Sequence, residues 1–123
     1  GGGITPVTLA GNISGKDAGA EILRSALMAP FKQLMSNAGL NSEALLAQVQ
    51  NAKPGYGIDV DHPEKGLVDL KSAGVVDPAR VTREAIQNAV SIASTAMTMG
   101  ALVVEIPEPK APAGPDIGGM GMM

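Results

Sequence analysis

The sequence predicts a mainly α-helical chain with short β segments and a Gly/Met-rich tail. Three observations carry that expectation. Apolar residues recur at three- and four-residue steps over long stretches. Capping and stop residues bracket those stretches. Alternating or β-branched runs are confined to two short segments. At 123 residues the chain has room for one core and no second.

The first helix is predicted from Asp17 to Asn37, with Ala18, Ile22, Ala26, Leu27, Phe31, Leu34 and Met35 on its apolar side. Asp17 supplies its N-cap and Gly39 its stop. Pro30 lies inside the pattern, removes a backbone donor and crowds the preceding turn, so a kink or break is expected after Ala29. Asn41-Ser42-Glu43 opens a shorter helix through Ala44, Leu45, Leu46 and Val49, which ends before Pro54-Gly55. Pro54-Gly55-Tyr56-Gly57 is turn chemistry, and Ile58-Asp59-Val60-Asp61 alternates as a short strand or extended loop. Pro63 and Glu64 start another predicted helix, carrying Leu67, Val68, Leu70 and Lys71 and closed by Gly74. Asp77-Pro78 is an N-cap followed by a first-turn proline, and the helix after it runs to about Gly100. Its predicted buried stripe is Val81, Ala85, Ile86, Ala89, Val90, Ala93, Ala96 and Met97, with small side chains that suit close helix packing. Ala101 to Ile106 is β-branched and stops at Pro107, which reads as a short strand. Beyond it the Pro-rich run and Gly118-Gly119-Met120-Gly121-Met122-Met123 support neither helix nor central strand. Residues 1–106 are therefore expected to be structured and 107–123 to form a flexible tail.

Composition removes several functional classes. No cysteine is present, so disulfides, thiolate zinc sites and a cysteine nucleophile are excluded. His62 alone makes no multi-histidine metal site. Phe31 and Tyr56 are the only aromatics, too few for a base-stacking platform. With 9 basic and 12 acidic side chains the net charge is -3, which argues against a broad nucleic-acid surface. No apolar run approaches the roughly 20 residues of a membrane span, and no signal peptide pattern opens the sequence. Starting on Gly1-Gly2-Gly3 without an initiator methionine, the sequence reads as a piece of a longer chain.

Four constellations invite a chemical reading. Ala10 to Asp17 approaches the phosphate-binding P-loop pattern through Gly15-Lys16, but Asp17 replaces the magnesium-binding hydroxyl and Pro6 weakens any preceding strand. A polar turn before a helix is the simpler reading. Asp59, Asp61, His62 and Glu64 form an acidic cluster interrupted by Pro63, which suits a solvated loop better than a metal loop. Asp77 either caps the long helix or presents a carboxylate to a ligand hydroxyl. Gly1-Gly2-Gly3 either allows close backbone approach to a ligand or is merely flexible.

Taken in order, Gly1-Gly2-Gly3, Ala26 to Leu34, Asn37-Ala38-Gly39, Tyr56-Gly57-Ile58-Asp59, Gly74 to Arg83 and the Gly/Met ending form a specific combination. It resembles the C-terminal segment of GroEL-type (group I) chaperonins and covers essentially the whole chain. The resemblance implies the C-terminal half of the multihelical equatorial domain, which holds ATP with Mg2+ in the intact subunit. It implies stacked rings of identical subunits, a co-chaperonin lid, unfolded protein substrates and a cytoplasmic setting, without nucleic acid or membrane. Matched residue by residue, Gly2 lies in the glycine run that contacts nucleotide, Asp59 and Val60 lie at the adenine, and Asp77 lies near the ribose. Catalytic carboxylates and Mg2+ ligands belong to the family's N-terminal half, so this segment alone is expected to be inactive. Thr5-Pro6 interrupts what the family makes helical, and the loop carrying His62-Pro63-Glu64 is expanded. A non-enzymatic helical interaction or assembly segment is the alternative reading.

Overall fold

Two side-chain caps and one buried aromatic organise the first half of the chain. The computed structural model describes residues 1–101 and residue 103. The element order is α1 (Ile4–Gly11), α2 (Ala18–Asn37), α3 (Ser42–Gln50), β1 (Tyr56–Ile58), a 3-10 turn at Pro63–Lys65, β2 (Leu67–Asp69) and α4 (Ala79–Met97). The mainly helical class is as expected. Asp17 caps α2 by accepting from the Ala20 amide at 2.8 Å, and Asn41 caps α3 by accepting from Ala44 at 3.1 Å. Each satisfies one of the amides that a helix start leaves without a partner.

Several expectations are corrected. Thr5-Pro6 does not interrupt the opening helix, because Pro6 is the third residue of α1, where a backbone donor has no partner within the helix. α2 continues through Pro30 without the expected break. One intrahelical hydrogen bond is lost there, while Leu27, Phe31 and Met35 on the same helix are buried. The strand expected at Ile58 to Asp61 begins earlier, at Tyr56, and stops at Ile58, since the Asp59 carboxylate accepts from the Asp61 amide and closes a turn.

The helix expected from Pro63 to Gly74 does not form. After one 3-10 turn Gly66 adopts φ 66° and ψ -138°, a conformation no helix contains. Leu67–Asp69 then pairs antiparallel with Tyr56–Ile58, in the register Tyr56 to Asp69, Gly57 to Val68 and Ile58 to Leu67. Gly57 is required inside this hairpin, because a Cβ there would sit 2.6 Å from Ile4 Cγ1 and 2.7 Å from Leu70 Cδ1.

The chain divides into two compact units, Gly1–Gln87 and Asn88–Met123. In the first, Ile4 and Val7 of α1, Phe31 and Met35 of α2, Leu46 and Val49 of α3, Ile58 and Leu70 form one buried cluster. In the second, the described residues are the C-terminal half of α4 and a short turn, in which the Thr98 hydroxyl donates to the Thr95 carbonyl at 2.8 Å. The predicted burial of the α4 stripe is also corrected. No residue of α4 is buried: Thr82 and Ile86 are half-buried and the rest of the helix is exposed. The predicted strand from Ala101 to Ile106 lies outside the described residues apart from Ala101 and Val103, and the tail 107–123 lies outside them entirely.

Candidate functional site

Gly1 to Ile4 forms a tight turn, with the Ile4 amide donating to the Gly1 carbonyl at 3.3 Å. Gly2 and Gly3 sit at φ 62° and 73°, the left-handed region that a primed turn requires at both central residues. Internal packing reinforces the demand for glycine. A Cβ on Gly1 would lie 2.5 Å from the Val75 carbonyl oxygen, and one on Gly3 would lie 2.8 Å from Phe31 Cα. The turn is thus wedged between α2 and the segment before α4. Among the described residues the Gly2 and Gly3 amides donate to no protein acceptor, and both glycines are half-exposed. They are two oriented donors available to a ligand.

The opposing segment is fixed by the Val75 amide, which donates to the Leu70 carbonyl at 2.9 Å. It brings Asp77 onto the same cavity wall as Gly1. The side chain is 57% exposed. Asp77 does not cap α4: the helix starts with the Val81 and Thr82 amides donating to the Pro78 carbonyl, and among the described residues no α4 amide reaches the Asp77 carboxylate. The carboxylate therefore keeps its accepting capacity. It lies between two cavities, one of about 420 Å³ lined by Gly1, Ile4, Leu70, Val75 and Val76. The other, of about 330 Å³, is lined by Ala79, Thr82, Arg83 and Ile86. Thr5, Leu9 and Asp77 line both. A largely apolar slot of this size edged by a carboxylate acceptor suits a small ligand that carries hydroxyl groups.

Asp59 and Val60 lie across the glycine turn rather than in these cavities. A Cβ on Gly2 would sit 3.8 Å from the Ile58 carbonyl oxygen, so the chain passes the glycine just before Asp59. Asp59 Oδ1 accepts from the Asp61 amide at 3.1 Å, and Oδ2 pairs with His62 Nδ1 at 3.1 Å. The His62 hydrogen bond outweighs the opposing effect of burial and, with the Asp61 amide, holds the Asp59 carboxyl below its ordinary 3.8. Val60 beside it is exposed. Of the four, only Asp77 lines a cavity among the described residues, so no cavity joins Gly2, Asp59, Val60 and Asp77.

The P-loop reading loses its structural context. Gly15-Lys16 follows a helix, not a strand, and the Arg24 guanidinium donates to the Ile13 and Gly15 carbonyls, tying the loop to α2. Among the described residues no three metal-ligating side chains converge. No helix of the described residues is long and apolar enough to cross a membrane.

Thr5, Thr82 and Arg83 escaped sequence reasoning. Thr5 gave no signal, being one polar residue in a segment taken as irregular. Thr82 and Arg83 could have been found from the first turn of the helix after Asp77, which puts them near that carboxylate in sequence.

A left-handed glycine turn wedged between α2 and the segment before α4 marks a mainly helical unit. The TCP-1/cpn60 chaperonin family matches residues 5–107, and the chain belongs to that family. Asp59, Val60 and Asp77 fall inside the matched stretch and Gly2 falls just before it.

Proposed function

We propose that this chain is the C-terminal half of the equatorial domain of a group I chaperonin and supplies the base and ribose side of its ATP site. The supporting observation is that Asp77, free of helix-capping duty, shares a cavity wall with Gly1 of the glycine turn, whose Gly2 and Gly3 amides are unused. Asp77 accepts from ribose hydroxyls, the glycine turn donates amides, and Asp59 and Val60 meet the base. ATP hydrolysis belongs to the intact subunit, with Mg2+ and the catalytic carboxylates held by residues outside this segment. In that subunit the cycle serves folding of unfolded proteins enclosed by stacked rings of identical subunits under a co-chaperonin lid, in the cytoplasm.

The test is nucleotide affinity in the full-length protein. Asp77→Ala should weaken ATP binding about tenfold, the loss expected when hydrogen bonds to a charged acceptor are removed. Unchanged affinity would reject the ribose role. The exposed apolar stripe of α4 favours a second reading, a non-enzymatic helical assembly segment. Under that reading Asp77→Ala leaves ATP affinity alone, while charged substitutions at Val90 or Ile92 prevent assembly.

A further inference from the structure

We propose that His62 is a positioning residue for nucleotide binding: its imidazole holds the Asp59 carboxylate, and with it the exposed Val60, in the geometry that meets the base. This inference rests on the reading of Asp59 and Val60 as base-side residues.

The argument begins with an asymmetry in exposure. The Asp59 side chain is 15% exposed and has a partner on each oxygen, whereas the His62 ring is 51% exposed. Burial therefore does not explain the place of the ring; the Asp59 contact does. The backbone holds the ring there from both sides. His62 sits just before Pro63 at φ -136° and ψ 59°. Its amide donates to the Asp59 carbonyl and its carbonyl accepts from the Lys65 amide, both at 3.1 Å. The imidazole is thus delivered to Oδ2 by a closed turn.

Val60 is suspended within that turn, its neighbours on either side linked by the hydrogen bond from the Asp61 amide to Asp59. Rotation of Asp59 χ1 would break both carboxylate bonds and leave Val60 in a turn held only by the bond from the His62 amide to the Asp59 carbonyl. Among the described residues the charges acting on Asp59 are those of His62 and Lys65, both from this loop. The Nδ1 donor exists in one neutral tautomer and in the imidazolium, and the charged form makes the stronger bond to a carboxylate. Asparagine places an amide donor where Nδ1 stands.

The experiment measures Kd of the full-length protein for Mg-ATP and for magnesium tripolyphosphate, which lacks base and ribose. The variants are His62→Leu, His62→Asn and Asp59→Ala. Loss of one positioning hydrogen bond should raise the ATP Kd of His62→Leu about fivefold, while His62→Asn stays within about twofold of the parent. Tripolyphosphate affinity should not change in either. If Asp59→Ala weakens ATP binding and His62→Leu does not, the inference about His62 fails while the base-side reading stands. If neither variant changes ATP affinity, the base-side reading fails as well. An effect of His62→Leu without one of Asp59→Ala, an equal effect on tripolyphosphate, or no rescue by asparagine would each overturn positioning through Asp59.

Discussion

α2 and α4 are nearly equal in length, at 20 and 19 residues, yet they meet opposite fates. α2 carries an internal proline, and it still buries Leu27, Phe31 and Met35. α4 has the cleaner apolar stripe and buries nothing, with Val81 61% and Met97 80% exposed. The difference is the opposing surface. α1 and α3 both pack against α2, and Phe31 reaches the backbone of Gly3. A helical pattern states which face is apolar, and only a neighbour turns that face into core.

Alanine at Phe31 sharpens the contrast most. It should cost about 3–5 kcal/mol, while Ile92→Ala should stay within about 0.5 kcal/mol in this chain. Urea denaturation of the two variants measures the gap, and equal losses would break the comparison. Next comes Gly57→Val, in the hairpin that packs on α1. Its side chain must displace Ile4 and Leu70, an overpacking that costs about 1–3 kcal/mol. Gly11→Ala, where a Cβ meets nothing within 4 Å, is the control that should not destabilise.

Smaller effects separate the helix starts. Asp17→Ala should lower stability by about 1 kcal/mol and Asp17→Ser should recover most of it, since serine also accepts at an N-cap. Asp77→Ala should show no such capping loss, because no α4 amide uses that carboxylate among the described residues. A matching loss would give Asp77 a capping role after all. Acid brings the smallest effect. The Ser72 hydroxyl, then the Lys71 amide, hold the Asp69 carboxyl below 3.8 against partial desolvation. The unfolded chain therefore binds the proton first as pH falls, so stability present above about pH 4 is lost as pH drops through the lower folded value. Asp59 behaves likewise through His62. Asp69→Asn should flatten part of the acid limb of a thermal denaturation series and leave the neutral region nearly parallel. An unchanged acid limb would remove Asp69 from the account.

Legibility followed the range of the interaction involved. Asp17 and Asn41 were readable as caps because a cap reaches an amide only three residues away. Gly39, read as a stop, sits at φ 73° just beyond α2. The Asp77-Pro78 cap failed on the same local logic, since no α4 amide among the described residues reaches that carboxylate. The hairpin was missed because Leu67, Val68 and Leu70 fit a helical face as well as a strand, and pairing with Tyr56–Ile58 overrode that pattern. For the candidate site, residue types and the family resemblance named Gly2, Asp59, Val60 and Asp77. They did not reveal which of them share a cavity wall.

By itself the sequence determined the helical class and the starts of α2 and α3. Each depends on backbone preference or on a hydrogen bond spanning a few residues. Tertiary structure alone decided the hairpin register, the choice of α2 over α4 as a core helix, and the cavity wall that Asp77 shares with Gly1. Those outcomes depend on surfaces brought together from distant parts of the chain, where burial outweighs local propensity.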